Sequence, residues 1–111
     1  MGVSIRNIGI DTNDLARATA FWQSVTGYKV SSSSDGDAYL ADPAKSGPGV
    51  SLLLVPEPKA EKNRLHLDLY TDDLGGEVTR IRDLGASEVQ RFDAWTVLAD
   101  PDGNQFCVIS E

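Results

Sequence analysis

A chain of 111 residues, 41% hydrophobic and 24% charged, is long enough for one compact domain with its own core and too short for two independent ones. Its formal charge of −7 comes without the clustered Lys and Arg that neutralise phosphates, which argues against a nucleic acid partner. Its apolar runs fall well short of the roughly 20 residues that span a bilayer, Met1 to Ile10 lacks the pattern of a signal peptide, and Cys107 has no disulfide partner, so a cytoplasmic protein with no membrane partner is the expectation.

The first element in chain order is an alternating strand, "SIRNIGIDT", followed by "NDLARATAFWQSVTG". There Leu15, Ala18, Trp22 and Val25 recur at spacings of three and four and predict an amphipathic helix that ends at Gly27. Thr12, Asn13 or Asp14 is placed to accept the unpaired amides at the helix start. Three short strands are then expected, at Tyr28–Ser32, Ala38–Ala41 and Val50–Val55, separated by the turn-rich "SSDGD" and "DPAKSGPG". After "PEPKAEKN", which joins the halves, the pattern starts again. The strand "RLHLDLYT" precedes "DDLGGEVTRIRDLG", whose stripe is Leu74, Val78, Ile81 and Leu84, with Thr71, Asp72 or Asp73 at the cap. Strands at Glu88–Phe92, Trp95–Ala99 and Gln105–Ile109 follow, the last two joined by "DPDGN". The repeat is regular, since 67 − 8, 74 − 15 and 84 − 25 all give 59.

The expected fold is therefore α+β: two β-α-β-β-β modules, about 1–58 and 63–111, forming a curved mixed sheet around a cleft with the helices outside. If Ile8, Ile10, Leu67 and Leu69 pack under the helices, alternation sends Asn7, Gly9, Asp11, His66, Asp68 and Tyr70 to the opposite face. "VSLLLV" and "QFCVI" are apolar on both faces, which favours a lined cleft over a solvated surface. His66, the single histidine, is a candidate general base, because histidine changes charge near neutral pH. Trp95 offers a flat wall for a cyclic ligand. Cys107, between Phe106 and Val108, reads as a buried and inert thiol.

The doubled pattern, together with "NDLARATAFWQSVTGYKV", "HLDL" and "DPDGNQFCVI", resembles the vicinal oxygen chelate superfamily, which includes glyoxalase I, bleomycin-resistance proteins and extradiol dioxygenases. "VPEPKAEKNRLHLDLYTDD" with "LADPDGNQFCV" is most similar to its small bacterial glyoxalase-like proteins. In metal-using members the first and last strand of each half supply the ligands, and the resemblance carries these positions to Asn7, about Leu53, His66 and Cys107. Leucine cannot coordinate, asparagine is a poor ligand, and Asp68 lies about 7 Å along the strand from His66, so a divalent metal is disfavoured and no cofactor is expected. The resemblance implies a homodimer that binds a small organic ligand without metal, in the manner of bleomycin-resistance proteins. Asn7, Leu53, His66, Asp68, Tyr70, Trp95 and Cys107 are the candidate binding residues. The alternative is a lyase or isomerase with His66 as its catalytic acid or base.

Overall fold

The computed structural model describes residues 2–111, in two compact units, Met1–Pro58 and Lys59–Glu111. The eight strands form two four-stranded mixed sheets, one in each unit, consistent with the two expected β-α-β-β-β modules. In the first unit β1 (Asn7–Thr12), α1 (Leu15–Thr26), β2 (Lys29–Ser33), β3 (Asp37–Ala41) and β4 (Gly49–Leu54) follow in order. The sheet order is β1-β4-β3-β2, with β1 parallel to β4 and the other pairs antiparallel. The second unit repeats this with β5 (Asp68–Thr71), α2 (Leu74–Asp83), β6 (Ser87–Arg91), β7 (Trp95–Ala99) and β8 (Gln105–Ser110), in the order β5-β8-β7-β6. Even the irregularities recur: the register slips between Val30 and Ser32, and again between Glu88 and Gln90.

Both helices start on an aspartate. Asp14 accepts the Arg17 amide at 3.1 Å, and Asp73 accepts that of Gly76 at 3.1 Å, so each satisfies one of the amides that a first helical turn leaves unpaired. Helix α1 stops where Gly27 turns left-handed at φ 75 and donates its N–H to the Gln23 carbonyl. Ala18, Phe21 and Trp22 are its buried residues, and the two rings meet edge to face at 5.1 Å. Val78 and Ile81 do the same for α2, whereas Leu84 at the end of the expected stripe is exposed.

Sheet residues on the helix side complete each core: Ala38, Leu40, Val50 and Leu52 in the first unit, and Leu98, Phe106 and Val108 in the second. Burying one such large side chain contributes about 1.5–3 kcal/mol. The same packing commits the odd-numbered residues of β1, β4, β7 and β8 and the even-numbered residues of β5 to the face away from the helix.

Each unit also closes its last hairpin with the tripeptide Ala-Asp-Pro, at Ala41–Pro43 and Ala99–Pro101. Asp42 accepts the amides of Ala44, Ser46 and Gly47 and the Ser46 hydroxyl. Asp100, 3% exposed, accepts the amides of Asp102 and Asn104 and the Asn104 side-chain amide. Donors around Asp42, the Ala44 amide foremost, hold its carboxyl below the usual range. A carboxyl lowered by folding stabilises the native state above its unfolded pKa, and that stability drains away as pH falls through the folded value. Acid titration below the ordinary carboxylate range is therefore expected to release the amides of Ala44, Ser46 and Gly47 to hydrogen exchange, and Asp42→Asn is expected to release them already at neutral pH.

Candidate functional site

The face of the second sheet away from α2 gathers the polar candidates. Asp68 on β5 stands directly across from Cys107 on β8, and Val97 on β7 flanks Cys107 on its other side. His66 precedes the paired strand, which begins at Asp68, four residues later than the expected start at Arg64. The parallel ladder nonetheless reaches back one residue, because the Cys107 N–H donates to the Leu67 carbonyl at 2.9 Å. Asn63 ties this segment down. Its Oδ1 accepts the Gln105 N–H at 2.9 Å and its Nδ2 donates to the Gln105 and Leu65 carbonyls. Asn63 is a positioning residue that the sequence reading passed over, and an asparagine in a linker beside a strand is too common a pattern to have pointed to it.

His66 Nε2 lies 3.1 Å from Asp68 Oδ1, with the two side chains 50% and 44% exposed. Adding the Cys107 sulfur gives three donor atoms all within 4.8 Å of one another. This corrects the expectation that Asp68 stands too far along the strand to join His66. The rise of about 7 Å separates backbones, whereas both side chains reach out of the pleat and close the gap between their ends.

Burial pushes the Cys107 thiol above its ordinary pKa, the Asp68 carboxylate adds to the rise, and the Lys62 ammonium opposes it. Alkylation by iodoacetamide is therefore expected to be slow at neutral pH, with a rate that climbs through a midpoint above the ordinary thiol range. Lys62→Gln is expected to raise that midpoint further. A midpoint below the ordinary range would contradict this account of the thiol.

The first unit carries a different set at the matching places. The repeat pairs Asn7 with His66 and Gly9 with Asp68, since 66 − 7 and 68 − 9 both give 59. Gly9 stands opposite Ser51, as Asp68 stands opposite Cys107. Ser51, not Leu53, is thus the counterpart of Cys107. Leu53 shares the face but sits two residues further along, opposite Asp11. Asn7 Nδ2 donates to Ser51 Oγ at 2.8 Å, and Ser51 is 2% exposed. In place of an imidazole, a carboxylate and a thiol, the first unit has an amide, a glycine and a hydroxyl, and the two polar groups spend their bond on each other.

Aromatic side chains flank the trio. Tyr70, two residues beyond Asp68, is 61% exposed. Trp95 is 39% exposed and opposes Ile109, which places it two residues along from the partner of Cys107. It stacks on Phe92 at 4.3 Å with the planes 20° apart, closing the β6–β7 hairpin. Trp95 therefore stands at the rim of the trio's face, anchored from behind.

The donor set of His66, Asp68 and Cys107 fits a divalent ion, having the nitrogen, oxygen and sulfur types and the number of protein ligands that a three-ligand centre uses. The corresponding corner of the first unit offers only an amide and a hydroxyl, a poor set for such an ion.

Comparison with known proteins accords with the fold. The family model described as "Glyoxalase-like domain" matches residues 7–109. No curated protein matches the sequence. Among solved structures, a glyoxalase/bleomycin resistance protein/dioxygenase family enzyme from Burkholderia phytofirmans PsJN is 17% identical, with TM-score 0.76, covering 97% of this chain and 98% of that one. The genomically encoded fosfomycin resistance protein FosX from Listeria monocytogenes is 17% identical, with TM-score 0.81, covering 100% of this chain and 93% of that one. Its E126Q mutant, in complex with Mn(II) and 1S,2S-dihydroxypropylphosphonic acid, matches at 17% identity and TM-score 0.75, covering 98% and 90%. No helix of the described residues is long and apolar enough to cross a membrane.

Proposed function

The chain belongs to the glyoxalase-like domain family, and on that premise we propose that it binds a small organic molecule on the open sheet face of its second unit. The observation that carries this reading is the convergence of His66, Asp68 and Cys107 on one exposed face beside Tyr70 and Trp95. Such a face offers apolar ring surface for affinity and a few polar groups for orientation, the usual composition of a small-molecule site. Binding needs no ion: imidazole and carboxylate already pair with each other, and burial keeps the thiol protonated. The protein acts in the cytoplasm as a homodimer in this reading. An unpaired cysteine accords with a reducing compartment, and Val3, Ile5 and Leu65, each more than 80% exposed, are apolar surface that a second copy would cover.

A thermal-shift screen of small organic compounds tests the proposal. A true ligand at about 100 times its dissociation constant stabilises the fold by about 2.7 kcal/mol. The shift is expected to survive prior dialysis against a chelator and to vanish in a folded His66→Ala variant. A shift that His66→Ala leaves untouched, or one that appears only after a metal is added back, would sink the metal-independent reading at this face.

The 3.1 Å contact favours a second reading, a lyase or isomerase with His66 as acid or base. Asp68 would orient the ring and stabilise the imidazolium as His66 takes a proton. Were a divalent ion bound, His66, Asp68 and Cys107 would hold it, and it would supply Lewis-acid polarisation of a substrate oxygen. Turnover of a found ligand that His66→Ala abolishes while affinity survives would place the protein in this second class.

A further inference from the structure

The β3–β4 connection of the first unit contains Lys45 at φ 56, the single non-glycine residue with a positive φ among the described residues. In the left-handed region a Cβ crowds the following carbonyl, so glycine or asparagine is the usual occupant. The turn itself follows from Asp42, whose carboxylate accepts the amides on either side and whose carbonyl accepts the Lys45 N–H at 2.9 Å. Nothing in that cage calls for a lysine, and the same loop has a glycine at position 47. A strained position held by a long charged side chain is the kind of outlier that functional sites retain.

Lys45 lines a pocket of about 560 Å³ together with Arg6, Ser31, Tyr39, Asp42 and Ser46. Neither Arg6 nor Lys45 is engaged in an ion pair among the described residues. Asp42 is the one carboxylate in the lining, and its charge is spread over four donors of its own loop. On a chain of net charge −7, two unpaired cations at one concavity reverse the local sign of the field. The loop amides are occupied by Asp42, so an incoming group would be met by the guanidinium, the ammonium and the Tyr39 hydroxyl.

We propose that this pocket binds a small oxyanion, a carboxylate or phosphate group, with Arg6 and Lys45 as its charged anchors and Tyr39 as a neutral donor. Arginine meets two oxygens of such a group through its planar fork, and lysine adds a point charge. The site lies in the first unit, so it stands or falls separately from the face that carries His66.

The test is titration of the 15N-labelled protein with inorganic phosphate and, separately, with acetate, followed by amide chemical shifts. Saturable shifts are expected at Arg6, Tyr39, Lys45 and Ser46 for at least one anion, and their relative strength identifies which group the pocket prefers. Lys45→Asn keeps a residue that tolerates the left-handed turn and removes the charge, and Arg6→Gln removes the other. Each is expected to weaken binding about fivefold to tenfold, and the pair together to abolish saturation. Lys45→Arg is expected to restore most of the affinity, which separates charge from loop damage. Linear shifts spread over the surface, or equal affinities in wild type and both neutral variants, would overturn the proposal.

Discussion

Asp100→Ala is expected to lower the free energy of unfolding by about 4 kcal/mol, read from denaturant unfolding curves. The carboxylate is buried and accepts hydrogen bonds from the Asp102 and Asn104 backbone amides and the Asn104 side chain. A bond to a charged acceptor contributes about 1.5–3 kcal/mol, and removing a buried acceptor strands its donors as well. Asp100→Asn keeps one acceptor oxygen and turns an NH2 toward the Asn104 amide, so it is expected to lose roughly half as much. The effect reaches the candidate site, because this turn sets the start of β8 and Cys107 is the third residue of that strand. A loss under about 1 kcal/mol for the alanine variant would mean that the turn folds without its aspartate.

Asp68→Asn is expected to change the chemistry of the trio more than any other conservative substitution there. It removes the charged partner 3.1 Å from His66 Nε2 and one of the two causes that raise the Cys107 thiol. The midpoint of thiol alkylation is therefore expected to move down while staying above the ordinary range, since burial is the larger cause and remains. Affinity for a ligand that contacts His66 is expected to fall about tenfold, the effect of losing one charge-assisted bond. An unmoved midpoint would show that the carboxylate and the thiol do not sense each other.

The trio also distinguishes the two units in a way that bears on function. The repeat supplies two structurally equivalent corners, yet one carries Asn7, Gly9 and Ser51 and the other His66, Asp68 and Cys107. The first corner is neutral and its polar groups satisfy each other, while the second is ionisable and exposed. The two units thus share a packing pattern, while these corner positions are titratable in the second alone.

Periodicity by itself determined the doubled β-α-β-β-β order, both amphipathic helices and the direction of each strand face, and it narrowed each helix cap to three residues from which the structure selects Asp14 and Asp73. Those features depend on residues near one another in the chain, where spacings of 2.0 and 3.6 leave a direct imprint. The Ala-Asp-Pro repeat at positions 41–43 and 99–101 was equally legible as sequence, though its role as a hydrogen-bonding cage emerges only when the amides it captures are seen. Tertiary structure alone decided that Ser51 rather than Leu53 matches Cys107, and that Asn63 ties the His66 segment to β8. It also brought Asp68 to His66 and Cys107, and it placed Lys45 under strain beside Arg6. Each of these depends on strand register or on where a side chain ends. A register shift of one or two residues leaves the hydrophobic pattern of a doubly apolar strand such as "VSLLLV" almost unchanged, so only the hydrogen-bonded ladder selects among the alternatives.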